Sequence, residues 1–264
     1  MQNKNQTREV NLILLTDSRG KGLESFIRKS EILPNLPNCK INIEVDCRPG
    51  STLEAVSRRA KHVARRRAVD YIIIFAGICS FTRKNIVNNS VKLDYPNDNK
   101  KELAISIIDD LLKLLGSKIH VGTVPPADII KFNKYRNPEC EVKQEEILQQ
   151  SKLVTDIEAL NSHIVNSNIT RDSPTLLTAK QTYESSTRKD KRSGKKKIIR
   201  KFSSKNLDDG IHANKKLEKL WFERIVTFIY QLIRKDIEAE QESCHKKIKL
   251  SPQRKVLLRK DLNT

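Results

Sequence analysis

Three residues suited to acyl transfer stand near the two ends of the chain. Ser18 closes "LLTDS", while Asp209 and His212 sit in "DDGIH", nearly two hundred positions later. A serine hydroxyl becomes a nucleophile when an imidazole takes its proton. The imidazole serves best when a carboxylate orients its other nitrogen. Asp209 precedes His212 by three residues across Gly210, so one tight turn can bring carboxylate to ring. Backbone N–H groups of Ser18 and Gly50 are candidates for the oxyanion hole. An alternative role for Ser18 is that of an N-cap, the commonest task of a serine at a helix start.

These residues need a scaffold that brings distant segments to one edge. Val10 to Leu15 is a short apolar run that reads as a buried strand, and a helix follows from Gly22 to about Lys29. Ile41, Ile43 and Val45 alternate with polar residues as a second strand. Pro49 and Gly50 turn it into a helix reaching Arg67, capped by Ser51 or Thr52. That helix carries Arg58, Arg59, Lys61, Arg65, Arg66 and Arg67, which give it a basic surface. "VDYIIIFA", Val69 to Ala76, is continuous β-branched and apolar sequence, as a central strand buried on both faces requires. Residues 83–100 read as a surface excursion and Lys101 to Leu115 as an amphipathic helix ended by Gly116. Ile119 to Val124 reads as a fourth strand, Glu141 to Val165 as a long helix, Leu176–Leu177 as part of a short fifth strand, and Ala213 to Lys235 as the last helix. Strand and helix alternate, so the expected class is α/β with a parallel, doubly wound five-stranded sheet. Ser18, Gly50 and Gly77 each follow a strand and therefore fall on its carboxyl edge.

Composition narrows the partners. The chain has 264 residues, 37% hydrophobic and 31% charged, with a net charge of +19. Such a balance favours polyanions. Five cysteines with no CxxC pair argue against a zinc site or a disulfide framework, and for a reducing compartment. No run of about 18 apolar residues suggests a membrane span. The polar start "MQNKNQTREV" lacks the apolar core of a signal peptide. An intracellular place, cytoplasmic or nuclear, is expected.

Four stretches, in order, resemble the sequence blocks of the SGNH (GDSL-type) esterase and lipase superfamily. "LLTDSRG" is similar to the block that carries the serine, "RPGSTL" to the block of the oxyanion glycine, "FAGICSFT" to the Gly-x-Asn-Asp block, and "DDGIH" to the closing Asp-x-x-His block. The resemblance implies a flavodoxin-like three-layer α/β/α fold and hydrolysis of small esters or acetylated substrates with no metal or cofactor. It implies Ser18, His212 and Asp209 as the triad, with Ser18, Gly50 and the residue at position 79 around the oxyanion. Two departures stand out. Thr16 replaces the glycine before Asp17, and Cys79 occupies the place of the oxyanion asparagine. A thiol is a much weaker donor than an amide. Ser80 is a neighbouring substitute donor, and packing under the sheet is the other task open to Cys79.

The expected domain spans residues 1–237, with a basic, disordered insert at 181–205 and a basic tail at 238–264. Nine of the fourteen residues from Arg188 to Lys201 are basic: Arg188, Lys189, Lys191, Arg192, Lys195, Lys196, Lys197, Arg200 and Lys201. Such a run binds phosphate backbones without sequence preference. SGNH-like domains also occur in proteins of some retrotransposons, beside nucleic-acid-binding parts. A non-enzymatic module binding nucleic acid or an acidic partner is therefore the second reading.

Overall fold

A computed structural model describes residues 7–29, 39–85, 90–93, 99–139, 141–189 and 196–250. Its centre is β1, Arg8–Thr16, which pairs in parallel with β2, Cys39–Cys47, and with β3, Tyr71–Phe75. A fourth strand, β6, Ile119–Val121, pairs with β3, giving the order β2-β1-β3-β6. Two short strands precede it in the chain, β4, Thr82–Lys84, and β5, Val91–Leu93; they form an antiparallel pair inside the expected surface excursion. Among the described residues the sheet has four strands, where five were expected. The Leu176 side chain joins the core on one face of the sheet and its carbonyl accepts from Thr123 N at 2.9 Å, but among the described residues no run of ladder bonds extends that contact.

Alternation along the strands divides the core in two. Val10, Leu12 and Leu14 of β1, with Tyr71, Ile73 and Phe75 of β3, face α1, Leu23–Lys29, and α6, Lys215–Leu250. Ile13, Leu15, Ile72 and Ile74 point the other way, toward α2, Leu53–Arg66, α3, Lys100–Leu115, α4, Ile129–Arg136, and α5, Gln144–Thr170. Every residue of β3 is buried, because helices cover both faces. Trp221 of α6 is fully buried, edge-on to Phe75 with centroids 5.0 Å apart, and its indole N–H donates to Thr178 O at 3.0 Å. The result is a three-layer α/β/α arrangement.

Two sequence expectations change here. Tyr183–Lys189 (β7) and Lys196–Phe202 (β8), expected to be disordered, pair in antiparallel register. The facing pairs Ser186–Ile199 and Thr187–Ile198 and the Tyr183–Phe202 ring pair at the base favour that pairing over loose chain. The last helix, expected to end at Lys235, also runs on to Leu250. Arg8–Glu240 and Arg234–Glu238 ion pairs lie on that extension.

Candidate active site

The strand register sets the edge. Thr16 is level with Cys47 and with Phe75, and Ile74 with Val121, so the next residues of all four strands emerge together. The loop after β2 is fastened to β1 by Arg48 N donating to Thr16 O at 3.0 Å.

Ser18 opens a single 3-10 turn, Ser18–Gly20. The cap of that turn is Asp17, not Ser18: its carboxylate accepts from Arg19 N at 3.0 Å. The same carboxylate accepts from Gly77 N at 3.4 Å, which links the turn to the end of β3. Gly20 allows the turn to fold close, since a Cβ there would lie 2.1 Å from the Thr16 side chain. Asp17 thus takes the capping task and leaves the Ser18 hydroxyl free for another partner.

That partner is His212. Its Nε2 lies 3.2 Å from Ser18 Oγ, and its Nδ1 lies 2.7 Å from Asp209 Oδ2. Asp209 Oδ1 accepts from Ile211 N at 2.9 Å and His212 N at 2.8 Å. Burial raises the Asp209 pKa, but the hydrogen bonds from the His212 ring and the two backbone amides outweigh it and hold the carboxyl at about 2. Asp209 therefore stays ionised, an acceptor for the ring N–H throughout the neutral range.

Anchors not singled out in the sequence hold this loop in place. Asp128 N, at the start of α4, donates to Gly210 O at 2.7 Å. Ser204 Oγ donates to Asp128 Oδ2 at 2.6 Å, and Lys131 Nζ donates to Leu207 O at 2.5 Å and Ser204 O at 3.2 Å. Their only sequence signal is an Asp before a short helix, a common cap pattern with no hint of a distant loop. Gly210 has φ +92°, and a Cβ on it would meet Asp128 O at 2.3 Å and Phe132 N at 2.8 Å. A glycine is needed there on both counts.

The oxyanion candidates differ in quality. Gly50 (φ +74°) sits exposed in the turn after β2, with open space where a Cβ would be. Gly77 (φ +147°) precedes a second 3-10 turn, Ile78–Ser80, which holds Cys79. Cys79 packs against the core, and burial first, then the Asp17 charge, push its thiol up to about 12. It stays protonated, a weak donor. Ser80 does not take over, for its Oγ accepts from Leu53 N at 2.7 Å and serves the start of α2.

Arg19, next to Ser18, is only 3% exposed. Its Nη1 donates to Pro125 O, and no described residue accepts from its Nε or Nη2. The other histidines stand apart. The His120 ring lies against Tyr71 and Phe228, His163 pairs with Asp109 at 2.7 Å, and His62 is exposed on α2. Of the basic insert, Arg188 and Lys189 fall on β7, and Lys196, Lys197, Arg200 and Lys201 on β8, in a sheet separate from the candidate site. Lys191, Arg192 and Lys195 lie outside the described residues.

No family model matches the chain, and no curated protein matches it. Solved structures do. A lipase/acylhydrolase from Enterococcus faecalis aligns with a TM-score of 0.53 at 18% identity, covering 83% of this chain and 94% of that one. A GDSL-like lipase from Bacteroides thetaiotaomicron VPI-5482 aligns with a TM-score of 0.52 at 12% identity, covering 88% and 90%. The chain has the fold of the SGNH (GDSL-type) hydrolases. Identity this low carries the fold across and leaves the chemistry to the residues at the sheet edge. Among the described residues, no His, Cys, Asp or Glu cluster could hold a metal ion, and no helix is long and apolar enough to cross a membrane.

Proposed function

We propose that this SGNH-fold chain is a serine hydrolase that cleaves carboxylic esters or acetyl groups from small substrates. The observation that carries this reading is the relay of 3.2 Å from Ser18 Oγ to His212 Nε2 and 2.7 Å from His212 Nδ1 to Asp209. Ser18 Oγ attacks the ester carbonyl while His212 Nε2 takes its proton. Asp209 keeps the ring oriented and stabilises the imidazolium. The tetrahedral oxyanion is met by the backbone N–H groups of Ser18 and Gly50, with Cys79 offering a third, weak donor. The intermediate collapses, the alcohol leaves with the proton from His212, and an acyl group remains on Ser18. Water, deprotonated by the same imidazole, then releases the acid.

The fold of the two lipase structures supports the reading. One observation favours the non-enzymatic module instead, the weak donor at Cys79. Losing a strong oxyanion donor costs on the order of 10²–10³ in turnover. A fluorophosphonate probe separates the two, because it labels only an activated serine. The wild type is expected to be labelled and to hydrolyse a short aryl ester, and Ser18→Ala or His212→Ala to abolish both. Equal labelling of wild type and Ser18→Ala would refute the assignment.

A further inference from the structure

α2 separates its residues into two kinds. Leu53, Val56, Ala60 and Val63 enter the core. On the outer side Arg58, Lys61, His62, Arg65 and Arg66 recur at the i, i+3, i+4, i+7, i+8 spacing of one helix face. Two further arginines of the helix region are already paired: Arg59 with Asp46 at 3.0 Å, and Arg67 with Glu44. Arg58, Lys61, Arg65 and Arg66 pair with no carboxylate among the described residues, and Glu54, one turn before Arg58, makes no ion pair with it. Two shallow cavities of about 450 and 430 Å³ follow this face and share Arg58 and His62. The only acid lining either is Asp46, which Arg48 and Arg59 neutralise. The stripe begins beside Ser51, at the loop that carries Gly50.

We propose that the outer face of α2 is a docking surface for the phosphodiester backbone of a duplex nucleic acid, running up to the carboxyl edge of the sheet. From Arg58 to Arg66 the face is about 12 Å long at 1.5 Å per residue. A duplex carries about one charge per 1.7 Å of axis, hence about seven over that length, of which the nearer strand can meet four cations. The duplex is preferred to a single strand because no Phe, Tyr or Trp ring lines either cavity, and single strands are held largely by stacking on such rings. The proposed contacts go to phosphates, which carry no sequence information, so binding is expected to show little sequence preference. This inference is independent of the ester chemistry.

The test measures binding of the full chain to a labelled 20-base-pair duplex by fluorescence anisotropy between 50 and 200 mM salt. Four phosphate contacts contribute a slope of about −3.6 in log K against log salt, or roughly 150-fold over that range. Arg58→Gln, Lys61→Gln, Arg65→Gln and Arg66→Gln combined are expected to flatten the slope by about 3 to 4. Each alone is expected to flatten it by about 0.9. All four side chains lie off the core, so melting temperature and ester hydrolysis should match the parent. An unchanged slope in the combined and single variants would overturn the proposal. So would a slope that disappears only on neutralising Arg188, Lys196, Arg200 and Lys201. Tighter binding to a single strand, to polyglutamate or to phosphatidylserine vesicles than to the duplex would overturn the choice of partner.

Discussion

At the residue scale, position 79 tells most about the chemistry. Cys79 follows Gly77 at the end of the most buried strand, and Asp17, which caps the Ser18 turn, also binds the Gly77 amide. A side chain here lies beside the support of the proposed nucleophile, so a stronger donor is worth introducing. In Cys79→Asn the amide can replace the weak thiol donor, and turnover of a short ester is expected to rise, by up to about a hundredfold. The Michaelis constant should change little, because the added bond strengthens only in the transition state. If packing is the sole role of Cys79, the amide is buried without a partner and the variant loses on the order of 1–3 kcal/mol of stability instead. Turnover and unfolding midpoint measured on the one variant separate these outcomes. The residue types here were readable in sequence, as Ser18, Asp209 and His212 were. Assigning the cap was not, because Asp17 and Ser18 are both good caps and only the backbone path selects between them.

At the element scale, the His212 loop depends on α4 as much as on its own residues. Gly210 lies against the first turn of that helix, at φ +92° and with Asp128 O 2.3 Å from where a Cβ would be. Gly210→Ala must therefore move the loop away from α4 or strain it. A loss of roughly 1–3 kcal/mol is expected from the backbone conformation alone. A displacement of about 1 Å at His212 costs on the order of 10² in kcat, so activity should fall more steeply than stability. Wild-type kcat with a lowered melting temperature would show that the loop is held elsewhere. At the opposite end of the sheet, His120 of β6 is 5% exposed between Tyr71 and Phe228, and burial, with Arg171 adding, pushes its pKa down to about 4. The folded chain then keeps it neutral while the unfolded chain protonates it below about 6.5. Its contribution is complete above pH 6.5 and is lost as pH falls toward 4, up to about 3 kcal/mol in all. His120→Phe keeps the ring packing and should flatten the fall in melting temperature across that window. An unchanged pH dependence would assign the acid sensitivity to other groups. The burial of His120 could not be read from "KIHVG", since an isolated histidine in a strand is equally compatible with either face.

At the scale of the whole molecule, the alternating pattern of strands and helices was legible because the two central strands are apolar enough to need cover on both faces. β1 and β3 are continuous hydrophobic runs, and their helices repeat at 3.6. The missing fifth strand and the ordered hairpin were less so, for a reason they share. Leu176–Leu177 is apolar yet forms no strand ladder among the described residues, while β7 and β8 are polar yet find each other as neighbours in the chain. Pairing depends on partners as well as on composition. The hairpin nevertheless bonds into the rest of the chain mainly at its base, where Tyr183 meets Phe202 at 6.3 Å beside the buried Ala179 and Thr182. The region between these two rings holds nine Lys or Arg and two acids, so it supplies a large share of the net charge of +19. Its described ion pair, Glu184 with Lys205, is exposed and adds little to stability. Because Tyr183 and Phe202 already face each other across the ladder, residues 184–201 can be replaced by an Asn-Gly turn that suits two-residue connections. The shortened chain is expected to melt within about 2 °C of the parent, as surface changes away from a core do. Its ester turnover should be retained, since the Ser18–His212–Asp209 relay is anchored by α4 and by β1 and not by the hairpin. Its salt-dependent duplex binding should also keep the part contributed by α2. A large drop in melting temperature would instead make the hairpin part of the domain's core, and a loss of turnover alone would make it part of the substrate site.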